Sequence, residues 1–141
     1  MMELISNLPI LVGILVFIVG FICHWIGQLI SVLNWDFATR IGLQEKKLPP
    51  EFKVYEHAIA VADVSIGWVY GIAAIGLILD YPWAFKLIWI PGVIMVYHSL
   101  SYWFWIGNQN KLGYHISTNR FRVSWFFLNF VTGILAITIA W

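Results

Sequence analysis

The run LPILVGILVFIVGFICHWIGQLISVL, Leu8 to Leu33, decides the fold, because it carries no Asp, Glu, Lys or Arg and is long enough for a membrane. A helix needs about 20 residues to cross the ~30 Å hydrocarbon core of a bilayer. Three further runs meet that length: Tyr55 to Leu79, Ala84 to Ile106 and Phe121 to Trp141. Of the 141 residues, 61% are hydrophobic and 11% are charged, which is under half the charge expected of a soluble domain at about 25%. The first run is no secretory signal in this reading. It is too long, it lacks a small-residue cleavage site, and Met1-Met2-Glu3 offers no basic leader.

Lipid offers no hydrogen-bond partner to open backbone, and the alternation of a barrel strand is absent, so the spans are expected to be helices. The expected fold is all-α. It is a polytopic membrane protein built as one antiparallel four-transmembrane-helix bundle over residues 1–141, with spans at about 8–33, 55–79, 84–106 and 121–141 and no separate soluble domain. Pro91-Gly92 is expected to bend the third helix and free a carbonyl there. The single Cys23 excludes an internal disulfide and a multi-cysteine metal site.

Basic residues orient the chain. Arg40, Lys46, Lys47, Lys53, Lys111, Arg120 and Arg122 fall in or beside loops 34–54 and 107–120, against Lys86 alone on the opposite side. The positive-inside rule puts those loops in the cytoplasm and both termini outside, in a cell membrane. Trp35 and Trp105 then mark the inner interface, and Trp83 and Trp141 the outer one. Asp80-Tyr81-Pro82-Trp83 is too short for anything but a tight turn between antiparallel neighbours. In loop 34–54, Phe37, Ile41 and Leu48 suggest a short amphipathic piece lying at the interface, and Pro49-Pro50-Glu51 reads as a helix start. Loop 107–120, rich in Asn, Gly, His and Ser, is expected to be irregular, with Tyr114-His115 an ordinary loop pair.

Each apolar run is interrupted by one polar group: His24, Asp63, His98 and Asn129. Counting from the inner ends, His24 lies about nine residues deep (~14 Å) and the other three about eight (~12 Å). Helical spacing puts each on its helix's small or polar stripe. These stripes are Gly13, Phe17, Gly20, His24, Gln28 and Ser31 on the first helix, and Glu56, Ala60, Asp63, Gly67, Tyr70 and Ala74 on the second. The third aligns Pro91, Ile94, His98, Ser101, Tyr102 and Trp105, and the fourth Arg122, Trp125, Asn129, Thr132, Gly133, Ala136 and Ala140.

A bland reading stands beside this layer, since polar side chains also glue membrane helices, at about 0.6 kcal/mol each. Asn129 and Gln28 fit that role, and His24 and His98 fit that of neutral core histidines. Asp63 does not, because a carboxylate at that depth either pairs with a protonated histidine or takes up a proton itself. Asp63, His24 and His98 are therefore the candidate proton-exchanging or ligand-orienting residues, with Asn129, Gln28, Glu56, Tyr102 and Arg122 as candidate ligand contacts. The favoured expectation is a cytoplasm-facing site, with walls from the 18% aromatic content, that binds or transforms a membrane-soluble, apolar or amphipathic small molecule or lipid. Three other classes are open. His24 and His98 are metal ligands only in the first, a b-type haem electron-transfer subunit with Arg122 or Lys53 near the propionates. The second is a proton- or cation-coupled small transporter using Asp63, Glu56 and the histidines, although no inverted repeat is seen. The third is a structural accessory subunit. The bilayer is the expected partner, in a monomer, a homodimer or a larger membrane complex, and no nucleic acid is expected at a net charge of +1.

Overall fold

The computed structural model describes residues 7–45 and 48–141. The readings made on Met1, Met2, Glu3, Lys46 and Lys47 lie outside those residues. Four helices are long and apolar enough to cross a membrane, as in a multi-pass membrane protein: α1 (Leu8–Leu33), α3 (Pro50–Ile78), α4 (Pro82–Lys111) and α5 (Asn119–Ile139). A short α2 (Trp35–Arg40) follows α1.

Helix ends follow local chemistry. Pro50 opens α3 with Glu51 in its first turn, so that helix starts five residues before its apolar run. Asn34 caps α2 by accepting from the Phe37 amide at 2.9 Å, and Thr118 caps α5 by accepting from Phe121 at 3.2 Å. Helix α3 ends in a left-handed residue, Asp80 (φ 56°), where the Tyr81 amide donates to the Gly76 carbonyl at 2.8 Å. Asp tolerates that conformation better than most side chains, which makes the turn before Pro82 as tight as its length demands.

Three long helices are interrupted: α3 at Gly67, α4 at Ile88 and α1 by a change of helical type. In α4 the helical pattern breaks at Ile88, next to Leu87, whose carbonyl the Pro91 ring displaces and whose usual amide partner Pro91 lacks. This break lies one turn before Pro91-Gly92, where the sequence predicts a bend. In α1, Val16–Ile26 forms a π-helix of 11 residues with α-helix on both sides. Such wide stretches are rare and mostly one turn long, and no sequence pattern foretold this one.

Helix α1 packs against α3 with opposite sense: Gly13 lies against Ala74 and Leu77, Gly20 against the Tyr70 ring, and Trp25 against Gly67. Helices α4 and α5 pair likewise, with Gly92 against Gly133 and Gly107 against Arg122. A Cβ on Gly92 would stand 2.8 Å from the Gly133 carbonyl oxygen, so this crossing brings backbones together as only glycine allows. The two pairs meet at one end through Val12, Val16, Leu77, Ile88, Met95 and Ala136, all fully buried. Towards the other end they part, and the Gly27–Leu33 stretch of α1 packs on α3 and α2 but hardly touches α4 or α5.

Two expectations need correction. Gly107–Lys111 is helical, extending α4 beyond the apolar run, because Ile106 and Gln109 are buried against the rest of the fold and outweigh weak local propensity. The irregular part of loop 107–120 shrinks to the stretch between Lys111 and Asn119. The α4 face packed on its neighbours is Gly92, Met95, Ser99, Ile106 and Gln109. The expected stripe through His98, Ser101, Tyr102 and Trp105 is the adjoining flank and lines the gap between the helix pairs.

Candidate functional site

Where the helix pairs part, they enclose a cavity of 660 Å³. Helix α1 contributes His24, Gln28 and an isoleucine edge of Ile22, Ile26 and Ile30; α3 contributes Tyr55, Glu56, Ile59 and Asp63. Helix α4 adds His98, Ser101, Tyr102 and Trp105, and α5 adds Phe121 and Trp125. The segment 41–45 forms a roof. It turns back at Gly42 (φ 85°), with the Leu43 amide on the Ala38 carbonyl at 2.9 Å, and Gln44 donates to the Ser31 hydroxyl at 3.0 Å. Burial beneath this roof pushes the Glu45 carboxyl above the ordinary carboxylate range. On the α3–α4 side, Phe52 and Tyr55 pack on Trp105, Tyr114 packs on Phe52, and the Trp105 indole donates to Glu56 at 3.3 Å.

The floor is the polar layer. Asp63 Oδ1 lies 3.0 Å from His98 Nε2, and both side chains are mostly buried. His24 Nε2 lies 2.5 Å from Asn129 Oδ1, while Asn129 Nδ2 donates to the Trp125 carbonyl at 2.8 Å. A backbone carbonyl only accepts, so it fixes which end of the Asn129 amide faces His24. The Asn129 oxygen accepts, and His24 Nε2 must carry a proton. A neutral His24 is therefore the Nε2–H tautomer, with Nδ1 as its acceptor. The two imidazole rings are 5.3 Å apart between centroids, and His24 also packs against Trp125 at 5.0 Å and Tyr70 at 6.2 Å.

The four interrupting residues thus meet as two hydrogen-bonded pairs in mutual contact, one from each of the four long helices. Trp25 braces them, donating to the Val64 carbonyl at 3.0 Å beside the α3 interruption at Gly67. Two buried polar atoms at this level have no partner: Asp63 Oδ2 and the Tyr70 hydroxyl. An unpartnered polar atom in such surroundings costs about 1–3 kcal/mol, so both are poised to accept a ligand atom or water.

The candidate ligand contacts divide. Gln28, Glu56 and Tyr102 line the cavity, with Tyr102 hydrogen-bonded to Ser117 at 3.0 Å and Gln28 Oε1 buried without a partner. Asn129 is fully buried and stands behind His24. Arg122 is turned away: it donates to the Trp103 carbonyl at 2.7 Å and lies 4.0 Å over the Trp103 ring, tying α5 to α4. Among the described residues, no group of three or more His, Cys, Asp or Glu side chains is arranged to hold a metal ion.

Sequence reasoning put Tyr70 on the right stripe without marking it as part of the floor. Its only signal was the i, i+7 relation to Asp63. Trp25, Gln44 and Glu45 had no signal at all. Comparison with protein-family models, with curated proteins and with solved structures finds no match for the chain.

Proposed function

We propose that the chain is an antiparallel four-helix bundle of the cell membrane that binds a membrane-soluble small molecule and presents its polar end to a proton-exchanging His98–Asp63 pair. Both termini lie outside and loops 34–54 and 107–120 lie in the cytoplasm, so the cavity faces inward. The seven-to-one distribution of basic residues supports that orientation.

One observation carries the reading: a 660 Å³ cavity, the size of a small-molecule site, ends on His24, Asp63 and His98. The apolar lining suits a hydrophobic body, and the floor suits one hydroxyl, carbonyl or amine. His98 Nε2 and Asp63 Oδ1 lie within hydrogen-bond distance at 3.0 Å, a geometry that suits proton exchange with a bound group. Asn129 holds His24 in one tautomer and so acts on the floor without touching the ligand.

The alternatives draw less support. Bis-histidine haem ligation needs the iron between the two rings, and the His24 and His98 rings lie tilted together, 5.3 Å apart between centroids, with each Nε2 held by Asn129 or Asp63. A transporter needs a route beyond the floor, and that end is filled by the Val12–Ala136 core. For an accessory subunit the cavity has no use.

Native mass spectrometry of the purified full chain tests the reading by reporting any lipid, quinone or other small molecule that stays bound. The accompanying variant is Asp63→Asn, expected to fold with unchanged helix content and to lose the retained molecule. Retention equal to wild type sinks the proposal. A Soret band, or haem uptake by the purified protein, would replace it with the haem reading.

A further inference from the structure

Charge is unevenly distributed around the cavity. Its lining holds three carboxylates, Glu45, Glu56 and Asp63, and among the described residues no Lys or Arg. Of the described cations, Lys53 lies over the Trp35 ring at 5.6 Å and Arg122 over the Trp103 ring at 4.0 Å. The acids also span the cavity's length. Glu45 sits in the roof, Glu56 stands one α3 face below it, and Asp63 is a further seven residues (~10 Å) down at the floor.

The deepest of the three is the least satisfied. Asp63 is 9% exposed, its Oδ1 meets His98, and its Oδ2 has no partner. Trp125 lines the same cavity, its ring 5.0 Å from the His24 ring. A carboxylate or phosphate head group reaching this floor would pass two acids and meet a third, with His98 as the one basic group beside it. An ammonium would meet a carboxylate acceptor and an aromatic face, and both attract it more strongly away from water. A hydrocarbon chain has a way out as well. The isoleucine edge of α1 and Phe121 of α5 both line the cavity, and Ile22 and Phe121 are also exposed on the outer surface.

We propose that the cavity selects a lipophilic amine, holding its ammonium on the Asp63 carboxylate and letting its hydrocarbon chain pass between α1 and α5 into the bilayer. This names the ligand class of the pocket proposed above and rests on that reading.

The test uses three probes with one chain and different heads: dodecylamine, dodecanol and laurate. The full chain is placed in phosphatidylcholine nanodiscs at pH 7.5, and binding of radiolabelled dodecylamine and radiolabelled dodecanol is measured against empty nanodiscs. The expected result is saturable dodecylamine binding, displaced by unlabelled dodecylamine at roughly tenfold lower concentration than by dodecanol, and not by laurate. Asp63→Asn is expected to erase the preference of amine over alcohol. Glu56→Gln, further from the packed core, is expected to reduce it while leaving dodecanol binding unchanged. Displacement by dodecanol or laurate as effective as by the amine overturns the amine assignment and leaves the pocket standing. No saturable binding of either labelled probe, with wild type matching a plugged Ile26→Trp variant, overturns the pocket as well.

Discussion

Replacing Asn129 by Ala removes both contacts that define the His24 half of the floor. The side chain is fully buried, accepts from His24 at 2.5 Å and donates to the Trp125 carbonyl at 2.8 Å. Hydrogen bonds between membrane helices average about 0.6 kcal/mol and reach ~1.7 kcal/mol. The bond within α5 is to a carbonyl four residues back that already belongs to the helix, so its loss counts near the lower figure. The His24 bond is short and leaves a buried N–H unpaired, so it counts near the upper one. The sum is about 2 kcal/mol, and the void left by the amide adds to it. Unfolding in mixed detergent and SDS, followed by far-ultraviolet circular dichroism, reads that loss. A second readout is specific to the geometry. In wild type the ¹⁵N spectrum of His24 is expected to show a protonated Nε2, whereas in Asn129→Ala the ring is free to take either tautomer. A wild-type spectrum with the proton on Nδ1 alone would refute the inferred amide orientation, whatever the stability change.

Other consequences are simpler to read. Gly133→Ala puts a methyl 2.7 Å from the Gly92 carbonyl oxygen and is expected to lower stability by about 1–3 kcal/mol in the same unfolding assay; an unchanged midpoint would mean that the α4–α5 crossing is looser than described. Burial raises the Glu45 carboxyl, so the sign runs against ordinary acid denaturation. Below its unfolded ionisation range Glu45 is neutral in both states and costs nothing. As pH rises through the raised folded value, the folded state bears the cost of a buried charge and the 41–45 roof loosens. Hydrogen exchange at Leu43 and Gln44 is therefore expected to rise with pH beyond its intrinsic increase, and Glu45→Gln to abolish that excess.

Much of this was legible in the chain because bilayer physics leaves few options. Length and the scarcity of charge gave four spanning helices, and Pro49-Pro50-Glu51 gave the true start of α3. One polar residue per span at a similar depth, each on a small-residue face, made His24, Asp63, His98 and Asn129 candidates to meet. Their pairing was not legible, since either histidine satisfies either partner by depth alone. The π-helical width of α1 was hidden because no local propensity marks it, and the contacts of this stretch, Gly20 on Tyr70, Phe21 on Gly71 and Trp25 on Gly67, all reach across to α3. Arg122 shares a stripe with Asn129, but stripe membership says nothing of where a long side chain turns, and an aromatic ring with a free carbonyl on α4 captured it. The roof was out of reach because it depends on a tertiary hydrogen bond from Gln44 to Ser31.

The solid end shared by the two helix pairs has a mechanical meaning. With Leu77 near the fulcrum, the floor at Asp63 lies 14 residues along α3, about 21 Å, and Glu56 lies 21 residues along, about 32 Å. A tilt of one pair against the other therefore displaces the floor by about two-thirds as much as the rim. The molecule has the form of a clothes-peg with its spring in the apolar core, so spreading the rim also shifts the polar atoms of the floor by a comparable distance.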